Sequence, residues 1–379
     1  MSGSAAPAPG EIFLAEIREQ PAALGRLLER PEAAAAARAL AGRRPRVVRL
    51  VAHGSSDNAA VFGVYAFALL AGWTALRDSI SLSVYYGAEL DYSDSAVVAL
   101  SQSGRTPDVV EYVERARARG ALTIALVNEE DSELARVAEL VVPLAAGPER
   151  AVAATKTYTN ELAALALLAG HAGGRGDDVE EGLAACRGLL EDAIAALERA
   201  VVPAAASFAF VGRMYVLGRG VELATAREIA LKLTETCRVV AEPLTATDFA
   251  HGPVAALDPL FPVWVIASDD PAPPGRRGRR ACSPRRRRDA ARERERGGRD
   301  PGRDVSLSHP SPGARPARAP RLDRPGPALR VGPLPRPGPR PRPSGGAFEG
   351  DAGAVTGNLL VAGRVTSAAG GNRDRKSVV

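Results

Sequence analysis

Short apolar runs alternate with amphipathic helical segments through the first half of this chain, and this alternation limits the folds available to it. The apolar runs cover residues 47–52, 96–100, 121–127 and 140–144, with a shorter one near residues 82–85. Helical periodicity fills the gaps, and an Ala/Leu-rich helical segment closes the series. Strands that alternate with helices predict a parallel, doubly wound α/β sheet.

The same pattern starts again after a helical spacer. A strand with a glycine turn at residues 214–220 and a helix at 223–235 repeat the order seen at 48–67, which predicts a second copy of one unit. An apolar strand at 261–267 is the last element of this copy, so we predict that the second domain is incomplete. The predicted boundaries are an N-terminal helical segment (1–44), a first domain (45–172), a helical linker (173–204), a truncated second domain (205–270) and a tail (271–379).

The composition of the chain changes sharply after Asp270. Residues 271–379 carry 25 Lys and Arg against 9 Asp and Glu, whereas residues 1–270 carry 24 against 35. A tail dominated by Arg, Pro and Gly without apolar periodicity predicts disorder. It is either a basic arm that meets nucleic acid or an acidic surface, or an out-of-frame reading of a GC-rich gene. Its richness in residues with GC-rich codons and its start just after an apolar strand favour the second. The net charge of +5 therefore does not indicate nucleic-acid binding.

Cysteine usage and hydropathy indicate the cellular compartment. Cys186, Cys237 and Cys282 are far apart and odd in number, which predicts no disulfide framework and fits a reducing cytoplasm. No apolar run approaches the roughly 20 residues of a membrane helix, and the N-terminus lacks the pattern of a signal peptide. No residues stand at metal-ligand spacing around His251, so we expect neither a metal nor a cofactor.

Hydroxyl-rich loops follow two of the predicted strands. One loop contains Ser101, Gln102, Ser103 and Thr106, and the other contains Gly54, Ser55 and Ser56. A strand–loop–helix order aims backbone N–H groups and a helix N-terminus at one sheet edge, which suits a phosphate. Without the lysine of a nucleotide P-loop, such loops favour a small sugar phosphate. Helix N-capping is the alternative for either loop alone.

Lysine is rare in this chain, which otherwise uses Arg for positive charge. Its lysines are Lys156, Lys232 and Lys376. Lys232 lies three residues before Glu235, so both project from one helical face. This spacing fits a carboxylate base that moves a proton between adjacent carbons, or an ordinary surface ion pair. His251 precedes Gly252-Pro253, and a loop position suits acid–base work.

The motifs together resemble the sugar isomerase (SIS) family over roughly residues 11–268. The matching segments begin with Glu-Ile-Arg-Glu-Gln-Pro and continue through Gly-Ser-Ser-Asp, Ser-Gln-Ser-Gly-Arg-Thr-Pro-Asp, Ala-Val-Ala-Ala-Thr-Lys, Arg-Glu-Ile-Ala-Leu-Lys-Leu and His-Gly-Pro. Several ordered motifs in one chain make the resemblance specific. It extends to the isomerase half of glucosamine-6-phosphate synthase and to the related glucosamine-6-phosphate deaminases, and the variant motifs look closer to the deaminase branch.

The resemblance implies tandem three-layer α/β/α sandwiches and a homodimer with shared active sites. It implies that Ser101, Gln102, Ser103 and Thr106 bind the sugar phosphate. Ser55 and Ser56 would lie nearby, and Val152, Ala154 and Lys156 would contact the substrate. By the same resemblance, Glu235 shuttles a proton between C1 and C2, Lys232 orients it, and His251 of the neighbouring subunit assists ring opening.

Departures from the family pattern leave more than one function open. We expect no glutamine hydrolysis, because the chain has no early cysteine nucleophile. The family's C-terminal catalytic lysine has no counterpart, since Lys376 stands in an unrelated context. The first hypothesis is an isomerase and deaminase that interconverts glucosamine 6-phosphate and fructose 6-phosphate. The alternatives are an aminotransferase-like isomerase domain and a non-catalytic sugar-phosphate sensor.

Overall fold

The computed structural model describes residues 8–258 and 260–267, and all of these belong to one compact unit. The predictions made for the tail, including its disorder, lie outside the described residues. So do Cys282 and Lys376.

The first half of the chain forms a five-stranded parallel sheet in the order β2–β1–β3–β4–β5. Its strands are β1 (Val47–Val51), β2 (Ala75–Arg77), β3 (Ser95–Ser101), β4 (Leu122–Val127) and β5 (Leu140–Pro143). The helices of this half are α1 (Glu11–Leu28), α2 (Glu32–Arg43), α3 (Gly54–Ala66), α4 (Ile80–Val84), α5 (Pro107–Ala118), α6 (Glu133–Val137) and α7 (Lys156–Ala172). A π-helical turn (Phe67–Ala71) extends α3. The parallel, doubly wound sheet confirms the prediction from the alternating pattern.

The central strand β3 is buried along its whole length because helices cover both faces of the sheet. Its side chains alternate between two cores. Ala96, Val98 and Leu100 pack with residues of α3 and α7, whereas Val97 and Ala99 pack with residues of α5. The continuous apolar run is therefore the signature of a strand in the middle layer of a three-layer sandwich.

The second half of the chain forms a smaller parallel sheet in the order β7–β6–β8. Its elements are α8 (Gly176–Ala206), β6 (Arg213–Gly218), α9 (Glu222–Cys237), β7 (Val240–Thr245), α10 (Ala246–Ala250), a 3₁₀ turn (Pro253–Ala256) and β8 (Val263–Val265). Three strands in the described part confirm a second, partial α/β domain. The exact domain boundaries stay a prediction.

One predicted strand is wrong. The apolar run near residues 82–85 belongs to the short helix α4, and the strand of that region is β2, seven residues earlier. In α4 the buried residues Ile80 and Ser83 are three positions apart, which is helical spacing. A run of four or five apolar residues does not distinguish a short strand from a short helix, because both periods fit so few positions.

Two further features of the described part concern its cysteines and the hydropathy of its helices. Cys186 and Cys237 form no disulfide. Among the residues that the structure describes, no helix combines the length and apolar character needed to cross a bilayer.

Candidate functional site

The two hydroxyl-rich segments lie side by side at one edge of the first sheet, but only the one after β3 is a loop, since Gly54, Ser55 and Ser56 form the first turn of α3. Strands β1 and β3 are parallel neighbours with Val51 opposite Ala99, so the loops that follow them start together. A hydrogen bond of 2.8 Å between His53 Nε2 and Asp108 Oδ2 joins the start of α3 to the start of α5. Burial acts to raise the pKa of the Asp108 carboxyl, but the hydrogen bond and charge of His53 outweigh it and hold that pKa below its usual value.

The loop between β3 and α5 is a tight turn organised by Ser101. Its Oγ accepts a hydrogen bond from the Gly104 backbone N–H at 3.1 Å and shares another with Thr106 Oγ1 at 3.1 Å. Gly104 has φ +59°, and a Cβ there would lie 2.0 Å from Ser132 Oγ. Only glycine fits this position, because a side chain would be both strained and obstructed.

Helix capping does not account for the hydroxyls of these loops. The N-cap residues are His53 for α3 and Thr106 for α5, and neither makes a side-chain capping hydrogen bond. Pro107 occupies the first turn of α5, where a missing N–H costs nothing. The hydroxyls of Ser55 and Ser56 instead reach acidic residues on other helices. The capping alternative is therefore weaker for both loops.

Helix α9 brings Lys232 and Glu235 against the start of α3. Lys232 Nζ lies 2.8 Å from Glu235 Oε2, 3.2 Å from Glu228 Oε1 and 3.0 Å from Ser55 Oγ. Glu228 also accepts hydrogen bonds of 2.9 Å from Ser55 Oγ and from Asn58 Nδ2. We call Ser55, Asn58, Glu228, Lys232 and Glu235 the α3–α9 junction. It places the predicted base and its lysine beside the first turns of α3, the helix that follows β1.

Glu228 is a member of this junction that the sequence reasoning missed. It is buried, yet all of its described partners except Lys232 come from α3. The signal available in the sequence was its position four residues before Lys232, which places both on one helical face. Glu235, three residues after Lys232, has an equivalent spacing, and the sequence reasoning considered only that pair.

The hydroxyl of Ser56 points into the protein interior. It donates a 2.6 Å hydrogen bond to Oε1 of Glu161 on α7, and Glu161 is 1% exposed. Burial raises the pKa of the Glu161 carboxyl to about 8; the Ser56 hydrogen bond lowers it, and the charge of Glu228 adds to the rise. This raised pKa favours the neutral carboxylic acid of Glu161 near pH 7, and Ser56 is placed as its partner.

Glutamine at position 161 is expected to remove a pH dependence of folding stability. The folded pKa lies above the usual value of 4.5, so between about pH 4.5 and 8 the folded protein holds a proton that the unfolded chain releases. Stability from this group is complete below that window and is lost as the pH rises, by about 1.4 kcal/mol per pH unit. Urea unfolding of Glu161→Gln at pH 5 and pH 8 should lack this slope.

The matched control for that measurement is Glu242→Gln, which changes an exposed carboxylate on β7. The control should retain the slope of the wild-type protein. Equal slopes in wild type and Glu161→Gln would contradict the neutral state of Glu161.

The third segment that is predicted to contact substrate, residues 152–156, differs in solvent exposure along its length. Val152 lies in the loop between β5 and α7 and is 93% exposed, whereas Ala154 is half-buried. Lys156, the first residue of α7, is 1% exposed, and its Nζ lies 2.5 Å from Glu19 Oε2 on α1. Val152 is available to a ligand, but the described contact of Lys156 is with another helix.

His251 lies apart from the other predicted catalytic residues. It follows α10 and is exposed, and its backbone N–H donates to the Asp248 carbonyl at 3.0 Å. Across residues 8–258 and 260–267, no hydrogen bond or ion pair joins its side chain to Lys232 or Glu235. Over the same residues, no group of three or more His, Cys, Asp or Glu side chains is arranged to hold a metal ion.

Comparison with known proteins finds similar sequences and folds. The family model for the SIS domain matches residues 43–170, which contain both loops. The glutamine–fructose-6-phosphate aminotransferase (isomerizing) of Aeropyrum pernix is 36% identical over 271 residues, which is 68% of this chain and 43% of that protein. The chain thus spans less than half the length of this curated relative.

Two solved structures share the fold. A protein described as a phosphosugar isomerase from Silicibacter pomeroyi DSS-3 is 34% identical, with a TM-score of 0.63 over 72% of this chain and 81% of that one. The glucosamine-6-phosphate deaminase of Thermotoga maritima is 19% identical, with a TM-score of 0.59 over 74% of this chain and 82% of its own. At this lower identity the second likeness concerns the fold alone.

Proposed function

This chain belongs to the SIS domain family, and from that membership we propose that it is an isomerase and deaminase acting on an amino-sugar phosphate. The observation that carries the proposal is the Lys232–Glu235 pair at 2.8 Å, held against Ser55 in the hydroxyl-rich first turn of α3. A positioned carboxylate beside a phosphate-type loop is the combination that ketose–aldose chemistry requires.

In this proposal the loop between β3 and α5 binds the phosphate. Ser101, Gln102, Ser103 and Thr106 supply side-chain donors, and the N-terminal turn of α5 supplies backbone N–H groups that favour an anion. The internal hydrogen bonds of Ser101 hold the loop in shape before the ligand arrives. A preformed loop loses less conformational entropy on binding, which favours affinity.

Glu235 moves the proton. In the open-chain form of glucosamine 6-phosphate, its carboxylate removes the proton from C2 and returns it to C1, so that the amine at C2 becomes an imine. Water adds to this imine and ammonia leaves, which gives fructose 6-phosphate. Lys232 orients Glu235 through their ion pair, and Glu228 and Ser55 fix Lys232 from the other side.

The proposal includes a homodimer in which His251 of the partner subunit assists ring opening. Two observations support it: His251 is exposed, and α8 carries exposed apolar side chains such as Leu189, Leu197 and Val202. Exposed apolar groups of this kind are typical of a surface that another protein covers.

The test of the proposed function is ammonia release from glucosamine 6-phosphate by the 379-residue chain, with no glutamine present. We expect equal amounts of ammonia and fructose 6-phosphate, and no reaction with unphosphorylated glucosamine. Ligand-induced stabilisation without turnover would favour a sugar-phosphate sensor. A chain that neither binds nor converts the phosphorylated sugar would contradict the proposal.

The reaction direction has a second candidate. The 36% identity to an isomerizing aminotransferase favours synthesis of the amino sugar, with free ammonia in place of glutamine. The same assay run from fructose 6-phosphate and ammonium tests this candidate by the formation of glucosamine 6-phosphate.

A further inference from the structure

We propose that helix α1 is a clasp that positions the loop between β5 and α7, residues 144–155, for contact with the sugar. Glu16 and Glu19 are its positioning residues. The inference rests on the proposed function, because it concerns the part of the site that would contact the sugar rather than the phosphate.

Glu16 holds the middle of this loop by its backbone. The residue is 4% exposed, and its two carboxylate oxygens accept hydrogen bonds from the backbone N–H groups of Arg150 at 2.5 Å and Ala151 at 3.1 Å. A buried carboxylate that accepts two backbone N–H groups makes strong, charge-assisted bonds. The loop residue that follows directly is Val152, which is 93% exposed.

The same face of α1 holds both ends of the loop. Arg26 Nε and Nη2 donate to the carbonyls of Ala145 and Ala146 at 2.9 and 2.8 Å, where the loop leaves β5. Glu19 pairs with Lys156, where the loop enters α7. Glu16, Glu19 and Arg26 are three and seven residues apart, so they share one helical face. One helix therefore fixes the loop at its beginning, middle and end.

The loop also has an internal support. Glu149 accepts hydrogen bonds from the Thr155 N–H at 2.8 Å, the Thr155 hydroxyl at 3.1 Å and the Thr157 N–H at 3.3 Å, and it accepts another from the Thr157 hydroxyl. These bonds close the C-terminal part of the loop onto α7. Residues 152–154 are the part between the two carboxylates that neither one holds directly.

This arrangement assigns Lys156 a different task from direct sugar contact. Its ammonium is buried against Glu19, and its helix starts where the loop ends. Lys156 acts through the loop that it anchors, and the exposed Val152 and half-buried Ala154 contact the sugar.

The experiment compares Glu16→Gln and Glu19→Gln in the 379-residue chain with Glu11→Gln as the matched control. Glu11 is on the same helix, but it accepts from the Ala8 N–H and has no described bond to the loop. In Glu16→Gln, an amide NH₂ group replaces one acceptor and faces a backbone N–H. We expect amide hydrogen exchange at Arg150 and Ala151 to rise at least about tenfold.

Ligand affinity distinguishes a role of Glu16 and Glu19 in positioning the loop from a role in the stability of the whole protein. Glu16→Gln should weaken glucosamine 6-phosphate binding by about tenfold while inorganic phosphate binding stays unchanged, because phosphate alone uses the loop between β3 and α5. Glu19→Gln should weaken the same ligand by about threefold, and it decides the question if Glu16→Gln does not fold. Glu11→Gln should match the wild type in both measurements.

Two results would overturn the clasp. One is faster exchange in the loop with unchanged affinity for glucosamine 6-phosphate, and the other is an equal loss of affinity for both ligands. A wild-type chain that binds inorganic phosphate but not the sugar phosphate would instead contradict the proposed function. In that case the hydrogen-exchange measurement still tests whether α1 fixes the loop.

Discussion

Replacing Glu235 with glutamine is expected to slow proton transfer at C2 by about 10²–10⁴-fold, the usual contribution of a positioned base. Glutamine keeps the shape of the side chain and can still accept a hydrogen bond from Lys232, so the α3–α9 junction should survive. An amide cannot take a proton from carbon at neutral pH. Binding of the sugar phosphate should therefore persist while turnover falls.

The measurement is deuterium incorporation at C1 or C2 of the sugar phosphate in heavy water, which reports proton transfer without depending on ammonia. Glu242→Gln, the exposed carboxylate on β7, is the control and should exchange at the wild-type rate. Wild-type exchange in Glu235→Gln would eliminate this residue as the base. Lost binding together with lost exchange would show that Glu235 supports the site rather than the chemistry.

Removing two hydroxyls from the phosphate loop should have a comparable effect on affinity. In Ser101→Ala with Ser103→Ala, two donors to a charged ligand are lost, each worth about 1.5–3 kcal/mol. The dissociation constant for glucosamine 6-phosphate should rise by about 10²–10⁴-fold. The ligand-induced rise in melting temperature should then disappear at millimolar sugar phosphate.

Ser101 also stabilises the loop itself, so each variant is compared with its own ligand-free melting temperature. Ser207→Ala, at the C-terminal end of α8, removes a hydroxyl outside both loops and should leave the ligand effect unchanged. A double variant that is still stabilised as strongly as the wild type would rule out this loop as the phosphate site.

The sheet and the loops could be predicted from the sequence because their signals are local. Segment 96–100 is apolar at every position and segment 121–127 at every position but Thr123, which is typical of strands covered on both faces. The loop at Ser101 is indicated by a cluster of hydroxyl side chains directly after such a strand. The pairing of Lys232 with Glu235 depends on spacing within one helix, and the structure has it at 2.8 Å.

Contacts between distant helices could not be predicted in the same way. Glu16 meets Arg150, and Ser56 meets Glu161, across more than one hundred residues of sequence. Nothing local distinguishes these carboxylates from the many exposed ones, because their environment is created only when α1, α3 and α7 pack. The raised pKa of Glu161 follows from that packing, so sequence reasoning had no access to it.

The α3–α9 junction has a consequence for how the protein melts. A buried carboxylate that loses its hydrogen-bond donors is costly, and Glu228 takes donors from α3 although its own helix, α9, packs against the second sheet. Separating the two sheets would leave the Glu228 carboxylate without its donors from α3. It would also leave Ser55 and Asn58 without their acceptor. The halves should therefore denature as one cooperative event, and dissecting the chain between them would produce two fragments that are each less stable than their share of the whole.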